Sequence, residues 1–307
     1  MKRILVTGGT VFASRFTARW FVRQGYEVYV LNRGTRPQVE GTHLIQADRH
    51  ALGEKLKPYH FDAVLDICGY TAQDVNDLLD GLGGFDDYLL ISSSAVYPET
   101  NARPFTEAQP TGPNSIWGQY GMDKIAAEAA LLNRVPQAYV LRPPYLYGPM
   151  QNLYREPFVF ECALENRPFY IPGDGSMRLQ FFHIEDLCRL MEKLLLEQPD
   201  FHILNVGNPD TVDIHTFVAM CYQVVGSPLR TISVDPSVAK QRDYFCFHDY
   251  DYYLDVSRQK QLLPQTIPLL LGLEESYVWY HTHQDEVRRK PLISFIDQYL
   301  KNRLNNA

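Results

Sequence analysis

The chain of 307 residues is 45% hydrophobic and 21% charged, which provides enough apolar material for a buried core and a smaller second lobe. Its net charge of −7 argues against binding to nucleic-acid phosphates, because such binding needs clustered cations, and the one dense basic group, Arg288-Arg289-Lys290, is typical of a solvated segment. The five cysteines are widely spaced without a C-x-x-C pair, so they indicate reduced thiols and neither a disulfide framework nor a metal site.

The sequence also bears on the compartment. No apolar run reaches the roughly 18 residues needed to span a bilayer, and no signal-peptide pattern is present. We therefore expect a cytoplasmic protein with no membrane partner.

The first predicted elements are a strand, a glycine turn and a helix. Arg3–Val6 is typical of a short buried strand, Thr7-Gly8-Gly9-Thr10 interrupts it, and a helix is predicted over 13–24. Glycine permits positive φ and close approach of the backbone, and a helix N-terminus presents unpaired N–H groups with a partial positive charge. The arrangement predicts a turn that binds the pyrophosphate of a dinucleotide.

Strands and helices then alternate along the chain. Strands are predicted near 3–7, 27–31, 62–67, 87–92 and 137–142, and helices near 13–24, 71–82 and 121–133. A helix near 183–198 and a strand near 202–206 are expected to return to the same domain. The predicted fold class is α/β: a Rossmann-type doubly wound parallel sheet with a smaller C-terminal mixed α/β substrate lobe.

Three polar residues suggest proton-transfer chemistry. Ser93 follows a predicted strand, and Tyr120 and Lys124 lie four residues apart on one face of a predicted helix. Lowering a tyrosine pKa from about 10 to about 7 needs roughly 4 kcal/mol of preferential phenolate stabilisation, which a nearby lysine and a cationic nicotinamide could supply. A Y-x-x-x-K pair alone is equally typical of a surface tyrosine beside a solvated lysine, and the upstream glycine turn favours the catalytic interpretation.

Six segments follow one another in a recognisable order: Leu90–Tyr97, Tyr120–Lys124, Leu141–Pro149, Pro172–Gly175, Phe182–Leu187 and Asn205–Asn208. Together they resemble the extended short-chain dehydrogenase/reductase family, which includes nucleotide-sugar epimerases and dehydratases. The resemblance implies that Ser93 bonds the substrate oxygen and that Tyr120 is the general acid or base. Lys124 would lower the pKa of that tyrosine and hold the nicotinamide ribose.

The resemblance also implies a domain plan and an assembly. An NAD(P)-binding domain would cover 1–150, with 183–206 returning to it, and a substrate-binding lobe would cover 151–182 and 207–307. Relatives pair through the helix that carries the catalytic tyrosine and its neighbour, so a homodimer is expected.

The cofactor contacts implied by the resemblance include two departures from the family pattern. The contact positions are Thr7, Gly8, Gly9, Thr10, Val11, Phe12, Asn32, Arg33, Asp48, Arg49, Lys124 and Pro143. The usual turn reads T-G-x-x-G-x-x-G, but Val11 and Ser14 replace its second and third glycines. Thr7–Phe12 and Arg33-Gly34 look closest to an atypical branch that resembles the chloroplast stem-loop RNA-binding proteins.

The second departure concerns the nucleotide. NAD-preferring members place an acidic residue where this chain has Asn32-Arg33, and a guanidinium there favours a 2′-phosphate. We expect NAD or NADP, with a lean towards NADP, unless Arg33 merely points into solvent. Asp48-Arg49 occupies the place where relatives hold the adenine ring, although an exposed loop pair would have the same sequence.

The substrate lobe departs from the family as well. Nucleotide-sugar enzymes carry an Arg-Asp pair, whose arginine grips the diphosphate, where this chain has Leu179-Gln180. Arg178 is adjacent, but one residue of slip on a strand reverses the side-chain face. The substrate candidates are Ser94, Asn152, Arg155 and Arg178.

The catalytic strand favours one type of reaction. Dehydratases of the family have two carboxyl residues after the catalytic serine's neighbour, whereas this chain has Ser94-Ala95, which disfavours elimination of water. The sequence thus predicts an NAD(P)-dependent epimerase or reductase acting on a sugar or nucleotide sugar. The alternative is a repurposed, non-redox RNA-binding member of the same family.

Overall fold

The computed structural model describes the backbone of residues 2–305 and side chains as far as residue 303. The chain divides into two compact units, each made of three stretches. The first comprises the chain up to Leu146 together with Phe182–Pro209 and Leu254–Thr266, and the second comprises Tyr147–Phe181, Asp210–Tyr253 and the chain from Ile267. Leu254–Thr266 thus lies with the first unit, although the sequence assigns it to the substrate lobe; the functional division stays a prediction.

The strands are numbered in chain order. They are β1 Arg3–Thr7, β2 Glu27–Asn32, β3 Thr42–Gln46, β4 His60–Asp66, β5 Gly84–Ile91, β6 Tyr139–Arg142, β7 Tyr145–Tyr147, β8 Phe169–Pro172, β9 Arg178–Leu179, β10 Phe181–His183, β11 Ile203–Asn205, β12 Val212–Asp213 and β13 Thr231–Val234.

The helices are numbered in the same way. They are α1 Phe12–Arg23, α2 Ala72–Gly81, α3 Gln119–Arg134, α4 Glu156–Leu164, α5 Ile184–Glu197, α6 Ile214–Val225, α7 Gln241–Tyr244, α8 Ser257–Leu262, α9 Leu269–Thr282, α10 Leu292–Phe295 and α11 Lys301–Asn305. Short 3₁₀ turns cover Arg49–Ala51, Ser94–Val96 and Gln284–Glu286, and Ile296–Leu300 is a π-helical turn.

The first unit is built on a seven-stranded sheet in the order β11-β6-β5-β4-β1-β2-β3, with every pair parallel. The chain runs outwards from β1 in one direction through β2 and β3 and in the other through β4, β5 and β6. This confirms the predicted doubly wound α/β sheet. Ligands of such sheets bind outside the carboxyl ends of the strands, where the order reverses, which is here between β1 and β4.

Burial explains why the central strands read as continuous apolar runs. Ile4, Leu5 and Val6 are all 0% exposed because helices cover both faces of a parallel sheet. Leu5 belongs to a core cluster with residues of α2 and α3, which pack on each other. Neighbouring residues of a strand point to opposite faces, and α1 packs against α5 within the same unit.

One strand of the sheet has no counterpart among the predicted elements. β3 is the edge strand, and only Ile45 among its five residues is buried. An edge strand contacts the core with so little of its surface that its sequence carries no apolar alternation.

The second unit is smaller and mixed α/β, as predicted. β8 pairs with β13 in parallel, β9 pairs with β12 in antiparallel, and the helices α4, α6 and α9 pack on one another. Its core is rich in aromatic rings, of which Phe181, Phe217 and Phe247 are in mutual contact. Over residues 2–305, no helix has both the length and the apolar character required to cross a membrane.

Candidate active site

The glycine turn after β1 has the backbone that the sequence predicts. Gly8 and Gly9 have φ of +88° and +84°, a region that favours glycine. A Cβ on Gly9 would lie 2.7 Å from Val30 Cγ1, so β2 leaves no space for a side chain there. Asn32, at the end of β2, holds the turn by donating from Nδ2 to the Gly8 carbonyl at 2.7 Å.

The N-terminus of α1 is open to an anion. Val11 precedes the helix without a side-chain cap, and the first turn contains no acidic residue. The Ser14 hydroxyl bonds back to the Val11 carbonyl at 3.0 Å. The two residues that replace family glycines therefore contribute no acceptor to the free N–H groups, which remain able to bind a phosphate.

At the end of β2 the two predicted nucleotide-reading residues behave differently. The Asn32 amide is engaged within the loop, because Nδ2 also donates to Gln38 and Oδ1 accepts from the Gly34 N–H at 2.8 Å. Arg33 is exposed. Of this pair, only the guanidinium is positioned to meet a ligand from solvent.

Asp48 and Arg49 are separated by the fold. Asp48 is exposed and accepts from the His50 N–H at 3.0 Å. Arg49 turns inward and donates to Asp66 Oδ1 at 2.6 Å and to the Cys68 carbonyl at 2.8 Å. The guanidinium is thus bound to a buried carboxylate, so the loop pair is not uniformly solvated.

Asp66, which the sequence did not single out, is the centre of a buried polar network at the carboxyl edge of the sheet. It is 0% exposed and accepts from the Thr7 hydroxyl at 2.7 Å and the Tyr88 hydroxyl at 2.8 Å, in addition to Arg49. The Thr7 oxygen also accepts from the Cys68 N–H at 3.1 Å. The one sequence signal is an aspartate directly after the apolar run Ala63–Leu65, next to the reversal of strand order.

Ser93 and Tyr120 are brought together. The Ser93 oxygen accepts from the Ala95 N–H at 3.1 Å and caps the turn that follows β5, and Tyr120 lies in the first turn of α3. Burial raises the pKa of Tyr120 above 10.0, and a hydrogen bond with Ser93 partly opposes the rise, although the residue as a whole is 39% exposed. The resemblance led us to expect a lowered pKa; in the protein alone it moves the other way.

Lys124 lies one helical turn further along α3 but interacts with different groups. It is 2% exposed, and its Nζ donates to the carbonyls of Gly69 at 3.0 Å and Ile91 at 2.8 Å. Its ammonium lies 4.6 Å from the centroid of the Tyr70 ring. Burial lowers the pKa of Lys124 to about 8, with the nearby Asp66 carboxylate acting in the opposite direction.

A second buried network, also not predicted, joins α3 to the strands that carry the site. Glu128 accepts from Arg142 Nε at 3.0 Å and Nη2 at 2.5 Å, and it also accepts from the Ser92 hydroxyl. Arg142 Nη1 contacts the Tyr97 hydroxyl at 2.8 Å. Since Ser92 adjoins Ser93 and Glu128 is one turn from Lys124, the network fixes Ser93 relative to the helix.

Ser94 and Pro143 are bound to each other. The Ser94 hydroxyl and N–H both reach the Pro143 carbonyl, at 2.9 Å and 3.0 Å, and Ser94 is 0% exposed. While this bond holds, the Ser94 hydroxyl could contact a substrate only as a hydrogen-bond acceptor.

The predicted substrate residues of the second unit differ in their availability. Arg178 is exposed while Leu179 is 0% exposed, so their side chains point to opposite faces of the strand. This is the alternation expected of neighbouring residues in a strand. Arg178 is bound to Thr211, with Nε 2.8 Å from its hydroxyl. Asn152 and Arg155 are half-buried in the segment before α4.

A group of cations adjoins this segment. The Arg288 N–H donates to the Asn152 carbonyl at 2.9 Å, and Lys290 lies near enough to Arg242 and Arg155 for their charges to act on it. Burial lowers the pKa of Lys290, and the charges of Arg242 and Arg155 lower it further. Like charges this close favour an anion between them. Among residues 2–305 no group of three or more His, Cys, Asp or Glu side chains could hold a metal ion.

The family model "NAD dependent epimerase/dehydratase family" matches residues 4–207. The chain is 27% identical to the chloroplast stem-loop binding protein of 41 kDa b of Arabidopsis thaliana, covering 90% of this chain and 78% of the relative. It is 26% identical to the dTDP-4-dehydro-6-deoxy-D-allose reductase of a Streptomyces species, covering 92% and 97%.

A solved structure shares the fold. The UDP-glucuronic acid 4-epimerase of Bacillus cereus, in complex with UDP-glucuronic acid and NAD, superposes with a TM-score of 0.70 at 19% identity over 91% of this chain and 99% of that one. The resemblance to the atypical stem-loop-binding branch agrees with these findings, and the family model covers about two thirds of the sequence. The chain belongs to the NAD-dependent epimerase/dehydratase family.

Proposed function

We propose that the protein is an NAD(P)-dependent epimerase or reductase of a sugar or nucleotide sugar, with Ser93, Tyr120 and Lys124 as its catalytic set. The observation that carries the proposal is that Tyr120, in the first turn of α3, lies close enough to Ser93 for the serine to lower the pKa of its phenol, with Lys124 buried one turn away. The activities for which relatives are named, which include reduction and 4-epimerisation of nucleotide sugars, support the same reaction class.

The residues of the glycine turn fit a dinucleotide. Gly8 and Gly9 form a tight cradle that a Cβ would fill, and the uncapped α1 N-terminus presents N–H groups suited to a pyrophosphate. Thr7, Thr10, Val11 and Phe12 would line this end. Bound there, a nicotinamide cofactor would supply the chemistry of hydride acceptance and donation.

Tyr120 would transfer the proton at the reacting oxygen. Its raised pKa keeps the phenol protonated at neutral pH, which suits a general acid in carbonyl reduction. Ser93 would donate a hydrogen bond to the same oxygen. To act as a base in alcohol oxidation, Tyr120 needs a positive charge nearby, and a cationic nicotinamide together with Lys124 would provide it.

Elimination is disfavoured as the reaction. The positions after Ser93 carry a hydroxyl and a methyl group in Ser94 and Ala95, and the Ser94 hydroxyl is already bound to the Pro143 carbonyl. Neither residue can pass a proton to a leaving hydroxide as a carboxyl group would. Epimerisation and reduction are therefore the two reactions that we propose.

The cofactor preference is proposed to be NADP. In NAD-binding relatives a carboxylate at the end of the second strand usually binds the ribose diol. Here that position is Asn32, which is hydrogen-bonded to Gly8, Gln38 and Gly34. Arg33 is exposed and can bind a 2′-phosphate. The solved neighbours contain NAD, so the preference requires measurement.

An anionic substrate is favoured by the second unit. Arg178 is bound to Thr211, so the cations around Lys290 are better placed to take over the charge recognition that Leu179 cannot provide. Asn152 and Arg155 would lie beside them. A phosphorylated or nucleotide-linked sugar fits this set.

Assembly and location follow the same proposal. α3 exposes Met122, which is 38% accessible, in keeping with a homodimer that pairs through this helix. All five cysteines are free thiols, in keeping with the cytoplasm. Light scattering of the purified protein tests the dimer, since a monomer at micromolar concentration contradicts it.

The test is a fluorescence titration with NADH and NADPH side by side. We expect micromolar binding of at least one dinucleotide, with NADPH tighter and the difference removed by Arg33→Gln. Failure of both to bind folded protein that retains no nucleotide contradicts the proposal.

RNA binding is the second candidate function, because the plant relative is named for stem-loop binding. The net charge of −7 opposes it. A labelled stem-loop RNA that shifts with the protein at physiological salt, and loses its affinity steeply as salt rises, would favour this alternative.

A further inference from the structure

Tyr70 is an exposed aromatic residue at the carboxyl edge of the sheet. It follows β4 and is 50% exposed. Its main chain is fixed, because the N–H groups of Tyr70 and Thr71 both donate to Asp74 Oδ2, at 3.0 Å and 2.8 Å, in the capping box that begins α2. A rigid backbone therefore holds a half-exposed tyrosine at this edge.

The ring covers the Lys124 ammonium. A protonated lysine has three N–H donors, and the carbonyls of Gly69 and Ile91 accept two of them. The Tyr70 centroid lies 4.6 Å from Nζ, within the range of a cation–π contact. The third donor has a ring for its partner, and this contact accounts for the 2% exposure of a lysine at a sheet edge.

Exchange of this partner for a polar one is energetically feasible. Burial already lowers the pKa of Lys124 to about 8, so the ammonium would gain from a stronger acceptor such as a hydroxyl oxygen. The Tyr70 ring is half exposed and can rotate about its side-chain bonds without disturbing the core.

Lys124 lies where ligands of such sheets bind, beside the carboxyl ends of β4 and β5. A ligand hydroxyl can reach its third donor only if the ring moves. We propose that Tyr70 competes with the ribose hydroxyls of a bound dinucleotide for Lys124 and so weakens cofactor binding in the wild-type protein. The inference rests on the proposed function, since it requires that the chain binds a dinucleotide.

The first test compares dinucleotide affinity in wild type, Tyr70→Ala and Tyr70→Phe. We expect Tyr70→Ala to bind NADH or NADPH about 3- to 30-fold tighter, because the competing cation–π contact is lost. Tyr70→Phe keeps the ring and should stay within about 2-fold of wild type. Unchanged or weaker binding by Tyr70→Ala overturns the inference while leaving the proposed function standing.

The second test measures directly whether the Tyr70 ring shields the Lys124 ammonium from solvent. Lys124 is labelled at pH 8 with an amine-reactive reagent and followed by peptide mass spectrometry. We expect slow labelling in wild type, faster labelling in Tyr70→Ala, and protection of that variant by saturating dinucleotide. The exposed Lys193 is the internal control, with equal labelling in every sample.

The two tests separate the possible failures. Equal labelling of Lys124 in wild type and Tyr70→Ala shows that the ring is no cover and overturns the inference. Faster labelling of the variant, with no dinucleotide bound by any of the proteins, contradicts the proposed function and the competition but retains the contact between ring and ammonium.

Discussion

Tyr120 is the residue on which the proposed chemistry depends. Burial raises the pKa of its phenol, and the neighbouring Ser93 lowers it in part. Lys124 is too well bound to the Gly69 and Ile91 carbonyls to act on the phenol alone. A cofactor is thus needed not only for hydride transfer but also to supply charge beside the tyrosine.

The corresponding prediction is that Tyr120→Phe abolishes most turnover while keeping cofactor binding. Loss of an acid–base group should lower kcat by about 10²- to 10⁴-fold, with the Kd for dinucleotide within about 2-fold of wild type. Steady-state kinetics and a fluorescence titration measure the two quantities. Tyr299→Phe, at a tyrosine that is 57% exposed, is the matched control, and full activity in Tyr120→Phe would contradict the mechanism.

The sequence singled out some residues of the candidate site and not others. The sequence could select Ser93 and Tyr120 because they belong to motifs with fixed spacing, and the structure brings them near each other; their catalytic role stays a prediction. It could not select Asp66 and Glu128, because a single buried carboxylate has no periodic signal and its partners, Arg49 and Arg142, lie far away or on another element. The ring of Tyr70 over Lys124 likewise joins residues that are distant in sequence.

Among the elements, the turn from β1 to α1 is constrained both by its backbone conformation and by lack of space. A side chain at Gly9 would meet both an unfavourable φ and Val30, whereas Gly25 has a similar φ of +83° with no atom within 4 Å of an added Cβ. The two glycines therefore separate the effect of backbone conformation from that of space.

We predict that Gly9→Ala destabilises the protein more than Gly25→Ala does. The positive φ costs roughly 1 kcal/mol at either site, and the clash at Gly9 adds about 1–3 kcal/mol. Chemical denaturation gives both values. Gly9→Ala should also weaken dinucleotide binding, and equal losses of stability in the two variants would show that β2 yields to the new methyl group.

The bond between Glu128 of α3 and Arg142 of β6 joins two elements in the core. Arg142 is 4% exposed and bidentate to the carboxylate. We predict that Arg142→Met lowers the free energy of unfolding by about 3–5 kcal/mol, because Glu128 would be left buried without its cation.

Its control is Arg134→Met. Arg134 pairs with Asp80 on the surface, so we expect a loss below about 1 kcal/mol in urea denaturation. A small loss at Arg142 would mean that Ser92 or water satisfies Glu128.

Most elements of the first unit could be predicted from alternating apolar patterns, because buried parallel strands and amphipathic helices have distinct periods. The edge strand β3 could not, since only Ile45 of its residues is buried. The start of α3 was predicted at 121, two residues after its observed start at Gln119, because Gly118 precedes the helix with φ of +52° and no side-chain cap marks its start.

For the molecule as a whole, His183 makes stability depend on pH. It is 0% exposed, and burial lowers its pKa from 6.5 to about 4. A depressed histidine pKa means that the unfolded chain binds the proton first. The contribution of neutral, buried His183 to the free energy of unfolding is present above pH 6.5 and is lost as the pH falls towards 4.

We predict that the wild-type protein loses about 3 kcal/mol of stability through His183 over that range, and that His183→Asn loses less. Asparagine does not titrate and can still cap α5, where His183 Nδ1 accepts from the Glu185 N–H at 3.3 Å. Denaturation midpoints at pH 7 and pH 4.5 check this. His60→Asn, at an exposed histidine, should retain the wild-type pH dependence.

The division of the first unit into three stretches affects how the protein folds during synthesis. β6 lies beside β11 in the finished sheet, and β11 is held in turn by the last stretch, where Arg258 donates to the Ile203 carbonyl at 2.7 Å. On the ribosome, β6 must therefore wait as an open edge while the intervening chain is translated. Nascent chains that end before Ile203 should be the ones that recruit chaperones, and release of the chaperone should coincide with the emergence of Leu254–Thr266.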